Sequence, residues 1–264
     1  NWTLINGLKT KKVMKKRNLV LSVMATCLVS CFLLSGCNGQ KQIDSETVKT
    51  VKVEEQAHLQ DDTVSPTCQI TIDYSYLAKS DAADSIVQRI NRTIQAHILG
   101  KEYTRMNPEV AVDSFKNTYI NNYRKDVNEF YQEDIKNGTP KNELPTWYNY
   151  EYGLTTYFSE GKEGILNFIA ETFEYTGGAH PNSWNKWMNF EKNTGKLLAL
   201  KDVFMAGSEK PISDMLLEEL ITEMATRLED SSITSLEGLQ NAGILNSTNM
   251  YVPDNFLLEK EKVS

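Results

Sequence analysis

The sequence predicts an α+β fold: antiparallel sheet or sheets with three main helices packed on them, arranged as two associated subdomains. Two observations predict it. Period-two runs of β-branched and aromatic residues recur along the chain, and between them lie apolar residues spaced three and four apart. The first run, VKTVKVEE, and the second, CQITIDYSYL, are separated by the turn residues DDTVSP and read as paired strands. A helix follows, with Asp81 as its cap and Ala83, Ile86, Val87, Ile90, Ile94 and Ile98 on one face, ending at Gly100. The second helix has Asn107 as cap and Pro108 at its first position. Its core stripe is Val112, Phe115, Tyr119, Tyr123, Val127, Phe130 and Ile135, and Gly138 stops it. From Pro145 the period returns to two: WYNYEYGLTTYFSEG and KEGILNFIAETFEYTGG form a hairpin, and SWNKWMNFEKNTG adds a further strand. Pro211 starts a third helix, with Ile212, Met215, Leu216, Leu220, Met224 and Leu228 on its apolar face.

The N-terminal residues point to the cell envelope. Met14, Lys15, Lys16 and Arg17 lead into an apolar run from Leu19 to Leu34, the pattern of a secretory signal. That run is shorter than the roughly 20 apolar residues a spanning helix needs. It ends in Leu34, Ser35, Gly36 and Cys37, which resembles the lipobox of bacterial lipoproteins and implies acylation at Cys37. Two or more acyl chains there would hold the protein on a bilayer, where one chain binds only marginally. Residues 1–36 are therefore expected to be upstream sequence and signal peptide. Residues 37–46 form a polar tether, and the mature protein faces the periplasm or the cell surface.

Cysteine and charge bound the chemistry. Cys27 and Cys31 would leave with the signal and Cys37 would be lipidated, so Cys68 is the one thiol expected in the folded part, in a strand where a cysteine serves as a small buried hydrophobe. Residues 1–36 hold six of the 28 Lys and Arg and none of the 35 Asp and Glu, so the mature chain carries 22 basic against 35 acidic groups, a net charge of −13. Such a surface repels nucleic acid and favours cationic proteins, with a dependence on salt. Three histidines and one thiol match no zinc spacing, and no GxSxG, P-loop or HExxH is present. No catalytic residue, metal or cofactor is expected.

Binding is the remaining chemistry, and it centres on FEYTGGAHPNSWNKW. Gly177 and Gly178 mark a turn where glycine tolerates positive φ. His180, Trp184 and Trp187 follow it. In strict alternation the two tryptophans face opposite sides of a strand, so at most one enters the core. Together with Tyr150 and Tyr152 these residues are the candidate partner-binding set, suited to a protein hot spot or to sugar stacking.

Three segments carry a family resemblance: FEYTGGAHPNS, NFEKNTGKLLALKDVF and MYVPDNFLLEKE. Their order and wording are similar to the PdaC/SigV-like domain followed by the domain of unknown function 3298, the extracytoplasmic part of RsiV-like proteins. TGGAH (176–180) and TGK (194–196) carry most of the specificity. The resemblance implies a PdaC/SigV-like portion over 47–175 and a domain-3298-like portion over 176–264, with further strands rich in Tyr and Pro expected beyond Ser264. In that family the domains accompany a peptidoglycan deacetylase and an anti-sigma factor that senses lysozyme. A separate deacetylase domain and a sigma-binding segment are not found in these residues. The resemblance therefore implies a lipoprotein that binds a cationic lysozyme-type muramidase or peptidoglycan, with an accessory role in carbohydrate processing or a purely structural role as the alternatives.

Overall fold

The computed structural model describes residues 48–60, 62–78, 84–246 and 254–264. The signal segment, Cys37, the tether and the Asp81 cap lie outside the described residues.

Strands β1 (Val48–His58) and β2 (Thr67–Leu77) pair antiparallel over their whole length, from Val48 opposite Leu77 to His58 opposite Thr67. Asp62 closes their connection by accepting from the Val64 and Ser65 amides at 3.1 and 2.7 Å. Its carboxyl is held well below the usual range, first by the Lys141 ammonium and then by the Ser65 amide. On β2 the alternation separates two faces. Cys68, Ile70, Ile72, Tyr74 and Tyr76 are buried, while Gln69, Thr71 and Asp73 face the other way and stay accessible.

Helices α1 (Asp84–Ile98) and α2 (Pro108–Lys136) cover the buried face. α1 contributes Val87, Ile90 and Ile94, at the spacing expected from sequence. Asn91, on the same helix, clamps the end of β2: its Oδ1 accepts the Leu77 amide at 3.0 Å and its Nδ2 donates to the Leu77 carbonyl at 2.8 Å. Both atoms of the clamp are buried, so Asn91→Ala strands a buried N–H and C=O. We expect it to lower unfolding free energy by about 2–4 kcal/mol in urea titration with an unchanged slope.

α2 starts as its sequence indicates. Asn107 Oδ1 accepts the Glu109 amide at 3.0 Å, and Pro108, which has no N–H, takes the first position where none is needed. Its buried stripe is Ala111, Val112, Ile120, Tyr123, Val127 and Tyr131. Phe130, expected in that stripe, is instead 53% exposed. The buried row runs on in steps of four, Tyr123, Val127 and Tyr131, and Tyr131 takes the inward position.

The chain then returns as β3 (Tyr150–Glu160), β4 (Ile165–Tyr175) and β5 (Asn182–Glu191), giving one sheet in the order β1-β2-β3-β4-β5. β3–β4 and β4–β5 are antiparallel, as expected, but β2 and β3 are parallel, with Cys68 opposite Tyr150. A parallel junction needs a crossover connection, and α1 and α2 together supply it. The α+β class holds, with a mixed and mostly antiparallel sheet.

Contact density divides the chain into two compact units, one running to Leu197 and including Leu257–Val263, the other Leu198–Phe256. The boundary expected at 175/176 falls between β4 and β5, which are hydrogen-bonded neighbours. Leu258 belongs to the sheet unit because two buried asparagines hold its backbone. Asn189 Oδ1 accepts its amide at 2.8 Å and Asn167 Nδ2 donates to its carbonyl at 3.0 Å. In the second unit are α3 (Leu200–Val203), α4 (Glu209–Arg227) and α5 (Leu236–Asn241). α4 buries Ser213 and Met224, while Met215 and Leu228, expected on its apolar face, are exposed.

Candidate functional site

The Gly177 turn is where the candidate site is anchored. Gly177 has φ 81°, and a Cβ built there collides with the carbonyl oxygen of Trp147. The turn after β4 is thus seated directly on the backbone of the one-turn 3-10 helix Thr146–Tyr148. Two constraints coincide at this residue: a left-handed backbone and a close approach. Gly178 carries neither, since it lacks a positive φ and its Cβ would meet only the His180 carbonyl at 3.8 Å. The expectation that both glycines serve the same conformational need is corrected in this respect.

Trp147 connects this turn to α2. Its ring lies 3.9 Å from that of Tyr148, and its edge-to-face partner at 6.0 Å is Phe130. Trp147 is 37% exposed, so with Phe130 it forms an accessible aromatic pair beside the turn. Asp126, Glu133 and Asp134 lie three or four positions from Phe130, which places three carboxylates next to its ring on the helix surface. Asp134 accepts the Tyr148 hydroxyl at 2.7 Å.

The other candidate residues distribute around this surface. Tyr150 is half-buried, with its ring 5.1 Å from Tyr123. Tyr152, a member of the candidate partner-binding set, is instead a core residue, packed on Phe115 at 5.3 Å and Tyr119 at 4.9 Å and buried. Register places Trp184 opposite Thr172 and Trp187 opposite Ile169, so the indoles do face opposite sides of the sheet. Trp184 is on the side of α1 and α2, yet 46% exposed. Trp187 is half-buried on the reverse side. His180 is exposed. Cys37 lies outside the described residues.

Phe130 and Trp147 were therefore missed by sequence reasoning. Trp147 had a signal: it follows Pro145 in a polar connection, where a large indole has no core-facing period to satisfy. Phe130 did not, because a 3–4 stripe accepts either Phe130 or Tyr131.

Several tyrosines share one electrostatic design, a buried phenol donating to a carboxylate. Tyr119 donates to Glu174 at 2.9 Å, Tyr148 to Asp134, and Tyr76 to Glu109. Burial first, then the neighbouring carboxylate, pushes the Tyr76 and Tyr148 hydroxyls up to about 12. An unfolded phenol titrates near 10. Because the folded value is the higher one, this stabilisation is complete below the unfolded value and is lost as pH rises from about 10 to about 12. Thermal midpoints are expected to stay level up to about pH 9 and then to fall together with a rise in phenolate absorbance.

Among the described residues no three His, Cys, Asp or Glu side chains gather in a way that would hold a metal ion. The Cys68 thiol is fully buried and pushed up to about 12 by burial, which suits a core residue and not a nucleophile. What the arrangement can do is bind: accessible aromatic rings, fixed by a seated glycine turn and edged by carboxylates.

Residues 62–183 match the family model described as "Deacetylase PdaC". That span runs from the β1–β2 turn to the start of β5 and includes the Gly177 turn and Trp147. A crystal structure of a DUF3298-family member from Bacteroides fragilis is similar to the chain, with 26% identity, a TM-score of 0.71, and coverage of 84% of this chain and 83% of that one. A DUF3298-family protein from Pseudomonas aeruginosa is 14% identical, covers 85% of this chain and 83% of its own, and at a TM-score of 0.47 is too distant to carry an argument. No curated protein matches the chain. Among the described residues no helix is long and apolar enough to cross a membrane.

Proposed function

We propose that this protein is a non-enzymatic binding module of the bacterial cell envelope, anchored to a bilayer through acylated Cys37, whose partner is a cationic protein of the lysozyme type. The observation that carries this reading is the exposed Phe130–Trp147 pair with Asp126, Glu133 and Asp134 beside it. An aromatic anchor ringed by carboxylates fits a surface rich in Lys and Arg: the rings supply buried area and cation–π contact, and the acids supply steering. The net charge of −13 expected for the mature chain acts in the same direction. The likeness to DUF3298 and to the PdaC model supports the envelope setting.

The test is a calorimetric titration of the protein against a cationic lysozyme at low and at physiological salt. Binding that weakens steeply with salt supports the reading, because exposed ion pairs are screened over about 10 Å at 0.1 M. Absence of heat at both salts would sink it. The exposed Trp184 indole favours a second reading, stacking on a cell-wall glycan, in which peptidoglycan fragments bind with little dependence on salt. A hydrolytic role in carbohydrate processing would instead release acetate or sugar from such fragments during incubation. For the anchor, protein made in a bacterial host is expected to partition into detergent and to lose that property in Cys37→Ser.

A further inference from the structure

The other end of α2 holds a separate feature, an open cleft of about 500 Å³ between the ends of β1 and β2, α1 and the first turn of α2. That size lies within the roughly 300–1,000 Å³ range of small-molecule sites. Its framework is rigid because its buried amides are already engaged. Asn91 clamps Leu77, and Gln95 Nε2 donates to the Tyr103 and Met106 carbonyls at 2.9 and 3.2 Å. Tyr76 donates to the Glu109 carboxylate across the floor.

Two cations at the rim are not engaged in this way. Arg92 has one polar contact among the described residues, to Gln88 Oε1 at 3.2 Å, and Lys49 has no ion pair among them. Several other cations of this acidic chain are paired, as Lys52 is with Asp73, Lys116 with Glu55 and Asp113, and Lys192 with Glu160. Two exposed cations with no ion pair among the described residues, opening onto one polar cleft, mark a place for an anion.

Glu109 narrows the class of anion. Its carboxylate accepts the Tyr76 hydroxyl at the cleft and repels a doubly charged phosphate, whereas a monoanion that also carries hydroxyl or amide donors satisfies both ends. We propose that the cleft binds a small carboxylate-bearing polyol, a sugar acid by chemical class, with Lys49 and Arg92 on the carboxylate and with Gln88 and Glu109 on hydroxyl or amide groups. This site stands about 30 Å along the helix axis from Phe130, so it is independent of the cationic-partner surface.

The experiment is NMR titration of isotopically labelled protein, following the side-chain amides of Gln88 and Gln95 and the Arg92 guanidinium. The probes are glucuronate and N-acetylmuramate, their neutral counterparts glucose and N-acetylglucosamine, and inorganic phosphate. The expected result is that the sugar acids shift these signals, bind about tenfold more tightly than the neutral sugars, and weaken about tenfold in Lys49→Gln and in Arg92→Gln. Both residues are at the surface, so the variants should keep the parent thermal midpoint. The proposal is overturned if neither sugar acid shifts the signals, if the neutral sugars bind equally, if phosphate binds more tightly, or if both variants bind as the parent does. The lysozyme titration reads the opposite end of α2, so either result can fail without the other.

Discussion

Gly177→Ala is expected to lower the unfolding free energy by about 3 kcal/mol, whereas Gly178→Ala stays within about 0.5 kcal/mol of the parent. The two residues are adjacent and chemically identical, so the difference isolates geometry. At Gly177 a methyl group meets two penalties, a left-handed φ of 81° and a collision with the Trp147 carbonyl oxygen. Neither neighbour can give way cheaply, since the obstacle is backbone. At Gly178 the nearest atom to an added Cβ is 3.8 Å away, an ordinary contact. Paired thermal and urea denaturation of the two variants checks this directly. Equal stabilities would mean that the turn after β4 is not seated on Trp147, and the geometry of the candidate site would fall with it. The Gly177→Ala protein should also lose partner binding beyond its loss of stability, because the turn and the indole share that contact.

The second large effect concerns affinity. Phe130→Ala is expected to weaken binding to a cationic lysozyme by roughly 30- to 100-fold, in the range of an aromatic hot spot. Phe130 is more than half exposed and contributes little to the core, so its removal should leave the thermal midpoint within about 2 °C of the parent. Trp147→Ala should weaken binding as much but also destabilise, since its ring packs on buried Tyr148. Charge reversal at Glu133 is expected to act through the association rate and to flatten the salt dependence. If Phe130→Ala binds as tightly as the parent while Trp184→Ala does not, the binding surface lies at the start of β5 instead, and glycan stacking becomes the better reading.

Much of the fold is legible in the order of the residues. Alternation on CQITIDYSYL places Cys68, Ile70, Ile72, Tyr74 and Tyr76 on one buried face, and that follows from a strand period of two whatever the strand pairs with. Asn107-Pro108 sets the start of α2, because an amide cap and an imino acid satisfy the first turn by local chemistry alone. The opposite facing of Trp184 and Trp187 follows from the same period.

Other features depend on distance in space. The parallel register of β2 with β3 arises because α1 and α2 intervene as a crossover, and no local pattern in either strand distinguishes a parallel from an antiparallel neighbour. Tyr152 and Trp184 stand on the same side of the sheet, one buried beneath Phe115 and Tyr119 of α2 and one half-exposed. The meeting of Phe130, Trp147 and Gly177 joins a helix, a 3-10 turn and a strand end distant from one another in the chain. The sequence alone determined the class, the strand faces and the start of α2, since these depend on local period and capping. Which aromatic rings stay exposed was decided by tertiary structure alone, since exposure depends on what packs above a residue and not on the residue itself.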